Sequence, residues 1–204
     1  MVDFDSRARQ WDSNPVFLER ALRVADGIRA RVPLGPSTRA LDFGCGTGLL
    51  SFALKDHVGH ITLQDSSAGM LEVLREKIAL QGTRNMTVLE GEQLVDLPPE
   101  ERYTLVYTSM TLHHIPDTDA TLRAFHGALR PGGFLCVADL DAEDGTFHGP
   151  EVEVHRGFER GELARRAARA GFADVSFDTV FEMRREIAGE DRRYPVFLMV
   201  ARRV

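Results

Sequence analysis

The stretch Leu41–Leu50, LDFGCGTGLL, sets three glycines in five positions between two apolar runs. Backbone so bare at that place predicts a tight strand-to-helix turn that exposes main chain rather than side chain. Gly44, Gly46 and Gly48 permit positive φ and close approach, and unpaired N–H groups opening the next helix favour an anionic ligand group. Dinucleotide binding requires GxGxxG, but Leu49 stands where the third glycine belongs, so the loop reads GxGxG. Alone, it allows a turn without ligand or a carboxylate or phosphate site at the carboxyl edge of an α/β sheet.

The rest of the chain alternates strand-like and helix-like segments, the pattern of a sheet built from βαβ units. Strands are expected at 39–43, 60–64, 86–90, 103–109, 134–139, 175–180 and 196–201. Helices are expected at 15–32, 49–55, 68–80, 119–129 and from 159 to 170, the last stopped by Gly171. The Pro131, Gly132, Gly133 triplet is expected to close the helix before it. The last two strands have no helix between them, which predicts an antiparallel hairpin at one end of an otherwise parallel sheet. The 204 residues suit one domain: a helical cap over 1–38, a core over 39–140, and a loop, helix and hairpin over 141–204.

Two further positions narrow the ligand. Asp65 ends the second strand near the spacing at which an acid reaches ribose hydroxyls. Glu92 and Gln93 follow the third strand, where a carboxylate accepts from an exocyclic amine and a backbone N–H faces a ring nitrogen, as adenine needs.

With LDFGCGTG, LQDSSAGML, GEQLVDLP, YTLVYTSMTLHHIPD and LRPGGFLCVADL in this order, the chain resembles a class I S-adenosylmethionine-dependent methyltransferase. WDSNP near the start, and DLDAEDGTFHGPEVEVHRGFERGEL, AGFADVSFDTVFEM and YPVFLMVARR in the tail, resemble a subgroup, so the likeness spans nearly the whole chain. The resemblance implies a Rossmann-like, doubly wound, seven-stranded sheet, mostly parallel with an antiparallel C-terminal strand and helices on both faces. It implies S-adenosyl-L-methionine as cofactor. Asp42 is to orient the methionyl amino group, with amides around Gly44, Cys45, Gly46 and Gly48 holding the amino-acid moiety. Asp65 is to take the ribose, Ser66 and Met70 to flank the adenine, and Glu92 its amine, with a longer arm than the family's commoner aspartate. Thr108 and Ser109 are to pass beside the methyl group.

Methyl transfer needs a base only when the nucleophile must lose a proton. His113 and His114 follow the fourth strand and are the catalytic candidates; the alternative is that they shape the loop through backbone bonds. Asp141, Glu143, Asp144, His148 and His155 form an acceptor wall, a divalent metal site or a solvated acidic loop; the last is the simpler expectation, so no metal is assigned. Trp11 is a lid over the cleft or an anchor for the first helix. Cys45 and Cys136 have no ligand spacing and are read as neither nucleophiles nor a disulfide.

Net charge −6, from 31 acidic and 25 basic residues, argues against a nucleic-acid acceptor. TSMT at the exit of the fourth strand lacks the Asn/Asp-Pro-Pro-aromatic motif of exocyclic-amine methylases. A small-molecule acceptor is therefore expected, in a cytoplasmic protein without membrane span or signal peptide. The competing readings are a non-catalytic module binding S-adenosylmethionine or S-adenosylhomocysteine, and a nucleotide-dependent oxidoreductase.

Overall fold

The computed structural model describes residues 4–94, 97–149 and 152–204. Seven strands form one sheet: β1 (Arg39–Phe43), β2 (His60–Asp65), β3 (Met86–Glu90), β4 (Tyr103–Ser109), β5 (Leu129–Leu140), β6 (Phe172–Ile187) and β7 (Glu190–Arg203). Their order is β3-β2-β1-β4-β5-β7-β6, parallel through β5, with β7 antiparallel to both its neighbours. The expected hairpin is thus present, and it is much longer than its apolar runs suggested. Ala188 and Gly189, at φ 54° and 82°, supply the two positive angles of its tight turn.

Helices α1 (Ala8–Trp11), α2 (Pro15–Arg31), α3 (Leu49–Leu54), α4 (Ala68–Gln81), α5 (Thr118–Ala128) and α6 (Arg160–Arg169) connect or cover these strands. Two apolar clusters lie on opposite faces of the sheet, one including residues of α2, α3 and α4, the other residues of α5 and α6. Helix α2 begins where the Asn14 side chain accepts the Val16 N–H and Pro15 occupies the first turn, where no N–H is needed. Its buried face is Arg20, Ala21, Val24, Ala25 and Ile28, whereas the apolar Leu18 and Leu22 are 44% and 47% exposed. The face has turned toward Arg20.

The Pro131–Gly133 triplet does not close a helix. Helix α5 stops at Ala128, and the triplet lies inside β5 at an irregularity opposite Tyr103 and Leu105. A Cβ on Gly133 would come within 2.9 Å of the Arg130 carbonyl oxygen, so this tight passage needs glycine.

Candidate active site

At the carboxyl edge of the sheet, β1 ends in the glycine loop. Gly44 and Cys45 N–H groups donate to the Gln64 carbonyl, fixing the loop to β2. Gly44, at φ 69°, lies so close to Thr111 that a Cβ would overlap its methyl group at 2.2 Å. Gly48, at φ 81°, packs toward Leu74 and Leu63 and does not line the cleft. A Cβ at Gly46 would meet nothing nearer than Met70 Sδ at 3.9 Å, so the loop is bare only on its cleft side. Helix α3 has six residues, too few for much of a macrodipole, and the Gly44, Cys45, Gly46 and Gly48 N–H groups donate to Gln64, Asp65 and Cys45 oxygens rather than into the cleft.

Beneath the loop lies a buried chain that the sequence did not reveal. Tyr107 and Ser51 hydroxyls are 2.5 Å apart, and Ser51 donates to Asp42 Oδ2 at 2.6 Å. Burial, reinforced by Asp65 and opposed by the Ser51 bond, pushes the Asp42 carboxyl up to about 7. Burial also pushes Cys45 well above the ordinary thiol range and Cys136 up to about 12, so neither thiol is a ready nucleophile.

Asp65 accepts the Gly46 N–H at 2.7 Å through Oδ2 and the Ser67 N–H at 2.9 Å through Oδ1. Each oxygen keeps a lone pair. Glu92 and Gln93 are exposed on the cleft rim, and Gln64 Nε2 donates to the Gly91 and Gln93 carbonyls, pinning that loop. Ser66 is exposed beside them and Met70 is buried. Thr108 is elsewhere: it is 1% exposed inside β4, its hydroxyl has no partner, and Ser109 and Met110 take the cleft positions after it.

The cleft has a volume of about 1160 Å³ and continues past Ser109 to an imidazole corner. That exceeds the roughly 300–1,000 Å³ of a pocket for one drug-sized ligand, leaving room for a nucleoside and a second molecule. His113 is 1% exposed; its Nδ1 is 2.6 Å from Asp139 Oδ1, and its backbone N–H donates to Oδ2 of the same carboxylate. A carboxylate only accepts, so Nδ1 carries the hydrogen. With its hydrogen on Nδ1, His113 accepts at Nε2 from His148 Nε2, 3.0 Å away. His114 closes the group, edge-on to Phe4. Burial, then the fields of His113 and His148, push His114 down to about 4; burial, then His113 and Arg185, do the same to His148.

These three rings offer ligand atoms within 4.8 Å of one another, a neutral donor set suited to zinc or a similar cation. Arg20 and Arg185 stand on the same cleft, which raises the cost of adding a dication there. The acidic residues expected nearby do not converge. Asp141 holds Arg160 through both oxygens at 2.7 Å, Glu143 accepts the Gly145 and Phe147 N–H groups, and Asp144 pairs with Arg192 and Thr146. His155 bonds the Ile115 carbonyl. These contacts fold residues 141–149 and 152–158 against the site; His148 joins the imidazole corner, and His155 lines the cleft and donates its N–H to the His113 carbonyl.

The N-terminal segment crosses the other side. Trp11 packs on Phe17 at 4.7 Å and on Phe4 at 6.1 Å, and all three line the cleft. Asp12 ties this segment to the glycine loop, accepting from Thr47 Oγ1 and Lys77 Nζ at 2.5 Å each, while Lys77 also holds the Thr47 carbonyl. Asp5 accepts from Ser67 Oγ and the Gly69 N–H at the start of α4. Asp12, Ser51, Tyr107, Asp139, Arg20 and Arg185 were not singled out by motif. Their spacing follows no local period, and only the fold brings them together.

Residues 41–135 match a family model described as a methyltransferase domain. With the seven-stranded sheet and this edge cleft, that match makes the chain similar to the class I S-adenosylmethionine-dependent methyltransferases. It is similar to 27-O-demethylrifamycin SV methyltransferase of Amycolatopsis mediterranei, at 30% identity over 134 residues, 64% of this chain and 49% of that one. It is 33% identical to demethylmenaquinone methyltransferase of Listeria monocytogenes over 106 residues, 50% of this chain and 44% of that one. The chain therefore spans about half the length of these curated relatives. A solved S-adenosylmethionine-dependent methyltransferase from Aquifex aeolicus shares the fold over 98% of this chain and 99% of its own, at TM-score 0.71 and 22% identity.

The donor set fits the cofactor of this class. Asp42 can face an ammonium group, Asp65 a diol and Glu92 an aromatic amine, and the open side of Gly46 gives room for close approach.

Proposed function

We propose that this chain transfers a methyl group from S-adenosylmethionine to a small-molecule acceptor seated between the imidazole corner and the N-terminal segment. One observation carries the reading: a single cleft joins nucleoside-type acceptors at Asp65 and Glu92 to a buried carboxylate–imidazole pair beyond β4. When bound, S-adenosylmethionine supplies a methyl group already activated on its sulfonium. The protein has then to align a nucleophile, exclude water and accept a proton where the nucleophile carries one.

In this reading Asp65 accepts from both ribose hydroxyls, Glu92 accepts from the adenine amine, and the Gln93 N–H faces a ring nitrogen. Ser66 and Met70 flank the ring. The loop at Gly44, Cys45 and Gly46, its own N–H groups bound to Gln64 and Asp65, backs the amino-acid moiety, Asp42 takes the ammonium group, and Ser109 stands beside the methyl. Gly48 shapes the turn and Thr108 supports the strand. His148 and His114, neutral above about pH 4, face the acceptor, and His113, fixed by Asp139, accepts from His148 and orients it. His113 is thus a positioning residue rather than the group that meets the acceptor. Phe4, Trp11 and Phe17 exclude water from one side.

The names of the two curated relatives, which act on a rifamycin and a menaquinone precursor, support a small organic acceptor. The acidic net charge argues against nucleic acid, no helix among the described residues is long and apolar enough to cross a membrane, and a cytoplasmic setting belongs to the same proposal. Calorimetric titration with S-adenosylmethionine, S-adenosylhomocysteine and NAD tests the cofactor assignment. Binding of both adenosyl ligands is expected; NAD binding without them defeats it.

A further inference from the structure

Arg20 is the least compensated charge in the cleft. It is 9% exposed; Nη1 reaches only the Met183 sulfur at 3.8 Å, and Nε is buried with no hydrogen-bond partner. The Phe17 ring centroid lies 5.1 Å from its guanidinium carbon. Among the described residues no carboxylate forms an ion pair with it. Asp139 contributes a favourable field, but its oxygens already accept from His113 and the Leu140 N–H. Burial pushes the guanidinium down to about 10, which leaves it charged at neutral pH. A buried cation served by a thioether and an aromatic face retains most of its desolvation penalty. Arg20 also lines the cleft, so a ligand can supply the missing partner.

A second cation stands on the same wall. Arg185 follows Met183 by two residues on β6, where alternate residues share a face. Its guanidinium lies 4.3 Å from the Phe147 ring centroid and donates to the Phe147 carbonyl, which fixes it beside His148. Arg185 is on β6 and Arg20 reaches Met183 of the same strand, on the far side of β4 in the sheet order from Asp65 and Glu92, which end β2 and follow β3.

We propose that the acceptor is an acidic small molecule whose carboxylate or phosphate oxygens pair with Arg20, with Arg185 as the neighbouring cation. An anion anchored there presents the rest of the molecule to His148 and His114. This rests on the methyltransferase reading and names its substrate class. A guanidinium fork suits two oxygens of one oxyanion, which supplies orientation as well as charge.

The test uses the full chain loaded with S-adenosylhomocysteine and three probes of similar size: benzoate, phenyl phosphate and the uncharged benzamide. Calorimetry is expected to show at least one anionic probe binding tenfold or more tightly than benzamide. Arg20→Met is expected to lose that preference, keep wild-type affinity for S-adenosylhomocysteine and melt no lower than wild type, because it breaks no internal ion pair. Arg20→Lys, which keeps charge without the fork, is expected to retain part of the preference. Equal probe binding by wild type and Arg20→Met overturns the proposal, as does no anionic preference in the wild-type complex. If Arg20→Met instead weakens S-adenosylhomocysteine and leaves 5′-methylthioadenosine unchanged, Arg20 holds the cofactor carboxylate and the acceptor assignment is wrong. Failure of wild type to bind S-adenosylhomocysteine overturns this proposal and the methyltransferase reading together, an outcome distinct from the others.

Discussion

Asp42→Asn isolates the electrostatic cost of building a cation site beneath the glycine loop. Asp42 is 2% exposed, bonded to Ser51, and held near pH 7 against an ordinary value of 3.8. Between those values the folded protein retains a proton that the unfolded chain has released. Stability from this group is therefore complete below 3.8 and is lost as pH rises through about 7. From pH 5 to the folded-state value is about two units, and at ~1.4 kcal/mol per unit the wild type loses about 3 kcal/mol by pH 8. Asparagine keeps the acceptor oxygen for Ser51 and cannot ionise. His114 and His148 act in the opposite direction: their contribution is present above 6.5 and lost as pH falls through about 4. They occur in both proteins, so the mutant-minus-wild-type difference cancels them. Urea unfolding at pH 5 and pH 8 should therefore show that difference shifting by about 3 kcal/mol in favour of Asp42→Asn. Parallel pH dependences for the two proteins would refute the buried-carboxyl argument. Loss of the ammonium partner should also weaken S-adenosylhomocysteine by tenfold or more at pH 8, given roughly 1.5–3 kcal/mol for a hydrogen bond to a charged group.

Asp65→Asn removes the carboxylate assigned to the ribose and should weaken S-adenosylhomocysteine by at least tenfold in calorimetry; unchanged affinity means the ribose is elsewhere. Histidine NMR should show two of the seven imidazoles, those of His114 and His148, neutral down to about pH 4, and titration of all seven near 6.5 would contradict the buried corner. Asp12→Ala cuts the tie from the N-terminal segment to Thr47 and Lys77, so stopped-flow measurement should find faster release of S-adenosylhomocysteine. An unchanged release rate would show that the segment does not gate the cleft.

The glycine loop and the strand run were legible because local chemistry sets both: bare backbone at a turn, and apolar runs of strand length. Their carboxyl ends carry Asp42, Asp65 and Glu92, so the nucleoside half of the cleft could be read by spacing. The acceptor half could not. Arg20 follows Glu19 and resembles a surface charge, yet α2 is turned so that Arg20 faces inward while Leu18 and Leu22 face outward. His113 meets Asp139 across 26 residues and His148 across 35, distances no local pattern encodes. The proline–glycine triplet misled for a related reason: glycine serves a bulged strand under crowding as well as it serves a turn.

Methyl transfer is read most directly from the fate of a labelled methyl group. Incubating the protein with methyl-tritiated S-adenosylmethionine and a small-metabolite extract should move label into an organic product, with formation of S-adenosylhomocysteine and loss of both in Asp65→Asn. Tight cofactor binding with no label transferred across many extracts would contradict the account and leave a binding module in its place.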